Sequence, residues 1–217
     1  MLARRACLFR FAAVAVITAT PAAIGAAPVR AADPESGARD IVSTMAQQVI
    51  GTIQKGADKA EREAVFRDLY VKNFDNTTIG AYAAGPAFRA APAESRRAYL
   101  ETFQNYVVKA YAYQLSRYKG ERLRVDKTEK DEAAGRHDVI VISNLVHPDP
   151  RESREIEMRW RLRMVGERLR VADVVIDKIS MALTEKRAFA DWVQEKGGTL
   201  DGLTAKLREK IADIDKK

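Results

Sequence analysis

A wide aromatic stripe on one long helix constrains this chain more than any other feature. After Pro92, with Glu94 in the first turn, Leu100, Phe103, Val107, Tyr111, Leu115 and Tyr118 recur at steps of three and four. That spacing places side chains on one face of an α-helix. Tyr99, Tyr106, Ala110 and Tyr113 make a second, more polar stripe beside it. A face this broad cannot stand in water and must be covered by another layer. The simplest cover is a sheet, which would make this a core helix.

The downstream sequence supplies that sheet. Arg122 to Thr128 alternates, with Leu123 and Val125 on one side. Asp138 to Val146 is a nearly continuous apolar run, the pattern of a central strand covered on both faces. From Ile156 to Met164, Ile156, Met158, Trp160, Leu162 and Met164 face one way while Glu157, Arg159, Arg161 and Arg163 face the other. A tight turn at Gly166-Glu167 leads into a last strand from Leu169 to Ile179. The connections are short, so the strands run antiparallel.

Helices flank this block on both sides. Ile41, Met45, Val49, Ile50 and Ile53 carry helical spacing from a possible N-cap at Ser36 to a stop near Gly56. A second helix covers Lys59 to Asn73, and Asp75 or Thr77 caps a short one ended by Gly85-Pro86. Two more close the chain, Leu183 to Lys196 and Leu200 to Ile214, the latter with Thr199 as N-cap. The fold expected is α+β: N- and C-terminal helices packed on a curved antiparallel sheet of about four strands, with a pocket between sheet and helices.

The N-terminus reads as an export signal. Arg4, Arg5 and Arg10 precede an apolar run from Phe11 to Ala27, and Val29-Arg30-Ala31 offers a small-x-small cleavage site. The run is interrupted by Pro21 and Gly25 and is short for a membrane span of roughly 20 residues. Cleavage near Ala31 would leave residues 32–217 as one domain in the periplasm. It also changes the charge argument. The chain carries 37 basic and 30 acidic residues, but four arginines and no acids lie in the leader. The remaining excess is three positive charges, too few to point to nucleic acid. The sole cysteine, Cys7, leaves with the leader, so no disulfide framework is available.

Enzyme chemistry finds little to stand on. His137 and His147 have no ligand or nucleophile partner at a usable spacing, and there is no Gly-rich phosphate loop and no GxSxG. Asp173, beside Leu169, Val171 and Val175, is the best acid: a buried base acting with Tyr111 on a hydrophobic substrate, or a carboxylate that pairs with an arginine or accepts a hydrogen bond. The row Arg159, Arg161, Arg163 is either a solvated sheet face or a basic surface for anionic groups.

An ordered series of short motifs resembles the MlaC (toluene-tolerance) family. Phe74-Asp75, Ile79, Tyr82-Ala83-Ala84-Gly85, Phe88-Arg89, Arg96-Arg97 and Phe103 come first. Tyr111-Ala112, Leu115, Tyr118, Val171-Ala172-Asp173-Val174 and Ile179-Ser180-Met181-Ala182-Leu183 follow, then Phe189 and Leu203 to Leu207. Two positions depart from the pattern: Leu169 where a Trp is frequent, and Asp177-Lys178 in place of a more usual Glu-Gly. These leave a hopanoid-associated or other lipid-binding paralogue open.

The resemblance implies a non-enzymatic periplasmic carrier, monomeric and without cofactor, whose cargo is glycerophospholipid. Its partners would be an outer-membrane lipoprotein complex and an inner-membrane ABC transporter complex, and its task the upkeep of outer-membrane asymmetry. Combined with the apolar faces above, this places acyl chains between Phe103, Val107 and Tyr111 on the helix and Ile156, Met158, Trp160, Leu162 and Val171 on the sheet. Phe88 and Met181 would lie near the mouth, and Arg89 beside the headgroup. The methionines suit variable chain shapes.

Overall fold

The computed structural model describes residues 33–115, 120–131, 137–149, 151 and 155–216. The leader expected over 1–31 lies outside the described residues, as does Tyr118. Seven helices and five strands are formed among those described. Helix α1 runs over Pro34–Gln54, α2 over Lys59–Asn73, α3 over Asn76–Ala84, α4 over Pro86–Ala90 and α5 over Ala93–Leu115. The strands are β1 (Arg122–Asp131), β2 (Asp138–Val146), β3 (Ile156–Val165), β4 (Arg168–Ile176) and β5 (Ile179–Ser180). Helices α6 (Met181–Glu195) and α7 (Leu200–Asp215) close the chain.

Capping explains most boundaries. The carboxylate of Asp75 accepts the Thr78 N–H at 3.0 Å and starts α3, and the Thr199 hydroxyl accepts the Gly202 N–H at 3.1 Å at the head of α7. The cap of α1 is Asp33 rather than Ser36, because Pro34 suits the first helical position and pulls the start forward.

The sheet is an antiparallel meander in the order β1-β2-β3-β4-β5. Its fifth strand corrects the expected four. The segment read as one strand to Ile179 folds back at Asp177 and Lys178, both at positive φ (49° and 68°), and Ile179 pairs with Ile176. Two residues at positive φ define the tight turn that joins hairpin strands.

The interior divides into two clusters. In one, α1 lies on the sheet, burying Ala38, Val42 and Met45 against Val139, Val141, Leu162 and Val171. In the other, α5 is the axis of a helical layer, with Tyr99, Phe103 and Val107 packed among Phe189, Leu203 and Leu207. The sequence expected α5 beneath the sheet. The structure puts α1 there, and the close neighbours of α5 are α7, α2 and α3. Phe74 touches both clusters. It ends α2 and bridges to Val171, while the next N–H, that of Asp75, donates to the Val171 carbonyl at 2.9 Å.

Candidate functional site

The outer sheet face is a closed charge network. Arg159 pairs with Glu157 at 2.8 Å, Arg161 with Asp131 at 3.3 Å, and Arg163 with the buried Asp138 at 2.9 Å. Arg170 donates to the carbonyls of Val71 and Lys72 at 2.8 and 2.6 Å. Ile142, the cross-strand neighbour of Arg159, is buried on this face. Neutralised guanidinium groups hold the sheet's back rather than offering a free basic surface.

Asp173 is also engaged. Its carboxylate accepts the Ser180 hydroxyl at 2.7 Å and the Ala182 N–H at 3.1 Å, and the Ser180 oxygen accepts the Leu183 N–H at 3.1 Å. Both of its oxygens fix the entry into α6, which is the hydrogen-bonded alternative for this residue. His147 accepts the Asp149 N–H at 3.1 Å and His137 is exposed. Among the described residues no group of three His, Cys, Asp or Glu is placed to hold a metal. Nor is any helix among them long and apolar enough to cross a membrane.

What remains is the inward side. The sequence-selected residues fall on both sides of the division. Phe103, Val107, Tyr111 and Phe88 belong to the helical cluster; Trp160, Leu162 and Val171 belong to the sheet cluster. Ile156, Met158 and Met181 are half-buried outside both. Phe88 packs edge-on to Tyr99 with ring centroids 5.9 Å apart, and the Arg96 guanidinium lies 5.8 Å from its centroid. Arg89 is exposed at the end of α4.

Half-buried apolar groups pack at the edge of each cluster. Phe66 stacks on Tyr111 at 6.4 Å and Phe74 on Tyr70 at 4.8 Å from the helical side. Trp160 and Val174 are cross-strand neighbours on the sheet side, and the Trp160 indole N–H donates to the Ser143 hydroxyl at 3.0 Å. Two surface grooves lie elsewhere. One of about 460 Å³ is lined by Ala110, Tyr113, Gln114 and Ile214. The other, about 270 Å³, is lined by charged residues of the outer sheet face with Ile140 and Val175.

Sequence reasoning missed one residue here, Glu185. Ala182, Glu185, Phe189 and Trp192 follow helical spacing on α6, and Ala182 and Phe189 are buried. The spacing alone puts the carboxyl on an apolar face. Burial raises its pKa from 4.5 to about 7. Burial first, and neighbouring charges that include Glu185, hold Tyr70, Tyr99, Tyr106 and Tyr111 well above the usual phenol range. Tyr70 donates to Asn76 at 3.1 Å and Tyr99 to the Gly80 carbonyl at 3.0 Å. Among the described residues, the buried side-chain atoms without a hydrogen-bond partner are Arg62 Nε and Arg163 Nε.

The elements together define an α+β architecture of an antiparallel five-stranded meander and a helical layer. The same fold occurs in the phospholipid-binding protein from Ralstonia solanacearum, solved in complex with a phospholipid. The match has a TM-score of 0.68 at 20% sequence identity and covers 83% of this chain and 99% of that one. Residues 43–209 match the family model of the MlaC protein, and the chain belongs to the MlaC family.

Proposed function

We propose that this protein is a periplasmic carrier that holds the acyl chains of a phospholipid in the seam between its two clusters. In this reading it passes the lipid between an outer-membrane lipoprotein complex and the inner-membrane complex of an ABC-type transport system. The observation that carries the reading is family membership together with a shared fold, over nearly the whole of the neighbour, with a protein solved around a phospholipid.

The physics asks for such a seam. Exposing acyl chains to water costs about 0.8 kcal/mol per methylene, so two ordinary chains cost on the order of 20 kcal/mol. A carrier must offset most of this with apolar surface of its own. The seam is where the fold can supply it. In this reading the faces of Phe66, Phe74 and Tyr111 oppose those of Trp160, Val174 and Met158 across the seam, where α5 makes few close contacts with the strands. Loading would part the helical layer from the sheet along this line, leaving each cluster intact.

Organic extraction and mass spectrometry of protein purified from its own periplasm tests the reading. Phospholipid should be recovered from the wild type and from Val175→Lys, which adds a charge to the outer sheet face. Recovery should fall at least about tenfold in Met158→Lys, which puts an unpaired charge on the inner face. Lipid-free wild-type protein, or equal lipid in the two variants, would contradict it.

A further inference from the structure

The two edges of the sheet differ. β5 spans two residues and is too short to template another strand. β1 runs for ten, Arg122–Asp131, with β2 on one side only. Among the described residues, no backbone group of β1 bonds a backbone outside the sheet. An edge strand of this length is a place where a further chain can pair.

Helix α1 lies along this edge strand. Arg39, exposed on that helix, donates from Nη2 to the carbonyls of Val125 and Asp126 at 2.9 and 3.2 Å. One turn earlier, Glu35 accepts the Thr128 hydroxyl at 3.2 Å and pairs with Lys130 at 3.3 Å. Residues four apart share one row of a helix, so this row of α1 follows β1. Arg39 lands where the strand is irregular. Val125 faces Ser143 while Lys127 faces Ile142, which leaves Asp126 as a bulge. A bulge and a charged side chain on its carbonyls are two ways of closing an edge.

The sequence of β1 specifies what would pair there. The bulge shifts the alternation by one residue. Leu123, Val125, Thr128 and Lys130 therefore share the inner face, and Arg122, Arg124, Lys127, Glu129 and Asp131 the outer. Laid antiparallel on a second copy, about a two-fold axis at the Asp126–Lys127 bond, Arg122 meets Asp131 and Arg124 meets Glu129. Asp126 meets Lys127 at the centre, and Val125 meets Thr128 on the inner face. Residues brought opposite share a face, and the outer pairs are of opposite charge, which favours cross-strand pairing. A patch that complements itself about a two-fold axis is what a closed dimer requires. Arg124 is now paired with Glu155 and Lys127 with Glu129, exposed ion pairs that exchange at little cost.

We infer that the β1 edge is a latent pairing surface for a second copy of this chain, and that Arg39, seated on the carbonyls of the bulge, keeps the protein monomeric.

Sedimentation equilibrium of protein purified from the periplasm tests it. The wild type should remain a monomer. Arg39→Ala and Arg39→Glu should dimerise at least about tenfold more tightly, the worth of one charge-assisted hydrogen bond that pairing no longer has to break. Both substitutions put a strong helix former at an exposed helix position, so the fold is kept. Adding Arg124→Glu to Arg39→Ala sets acid against acid across the pair and should return the monomer. Adding Glu129→Arg as well should restore the dimer. A dimeric wild type, two Arg39 variants that stay monomeric, or a dimer indifferent to Arg124→Glu would overturn the inference.

Discussion

The two halves of the interior are built from different materials. Beneath α1 the sheet cluster is aliphatic, with valine, leucine, alanine and methionine interlocked across the strands. Around α5 the helical cluster is rich in aromatic rings, with Tyr70, Tyr99, Phe103 and Phe189 buried in it. The aliphatic side chains beneath α1 are buried, while Trp160 and Val174 at the edge of that cluster are only partly covered. In the carrier reading proposed above, the sheet cluster is the platform and the helical layer the cover that lifts from it.

The largest test of this contrast is loss of a central side chain on each side. Phe103→Ala should cost about 3–5 kcal/mol and Leu162→Ala about 2–5 kcal/mol in urea unfolding. The tryptophans separate the halves, since Trp160 sits in the sheet cluster and Trp192 against the helical one. If the clusters can part, Phe103→Ala should shift the Trp192 transition to lower urea than the Trp160 transition. Coincident transitions in both variants would mean the interior behaves as one body.

Glu185→Gln should act next in size, and in the opposite direction. The folded-state value of about 7 lies above the ordinary 4.5. Below pH 4.5 the carboxyl is neutral folded or unfolded, and it imposes no penalty. As pH climbs from there, the unfolded chain ionises first, so stability falls; the full penalty is reached above about 7. The variant should therefore gain up to about 3 kcal/mol at pH 8 and almost nothing at pH 4. A pH-independent gain would place the carboxyl in water.

Gly80→Ala probes how tightly α3 meets α5. A Cβ there would lie 2.9 Å from Leu100 Cδ2 and 3.0 Å from Phe103 Cδ1. Overpacking of this kind should cost about 1–3 kcal/mol. The smallest effect belongs to the β4–β5 turn, where Lys178 holds a φ of 68° that favours glycine. Lys178→Gly should stabilise by roughly 1 kcal/mol. No gain in thermal midpoint would show that the turn is unstrained.

Much of this architecture was legible in the chain. The bounds of α2 and β2 follow from their hydrophobic pattern and flanking signals, and the alternation of Ile156 to Met164 separates the inner face of β3 from its arginine face. The stripe on α5 was also legible, but not its partner. A wide apolar face says only that it must be covered, and the three residues that put α1 on the sheet, Ala38, Val42 and Met45, are unremarkable beside five aromatic ones. β5 escaped because two residues cannot show a period. Glu185 escaped for a different reason. The spacing from Ala182 to Trp192 displays it on the apolar face, but charged residues are discounted when a stripe is traced. The arginine row was visible, while Asp131 and Asp138, the acids that pair with Arg161 and Arg163, come from other strands and follow only from the sheet's register.

The claim on which the account turns is that acyl chains occupy the seam on the sheet's inner face. Phospholipid brominated along its acyl chains quenches nearby indoles on contact, and single-tryptophan variants made by Trp192→Phe and Trp160→Phe can be loaded with it in turn. Strong quenching of Trp160 and little of Trp192 is the result expected. Quenching of Trp192 alone, or of neither, would contradict it.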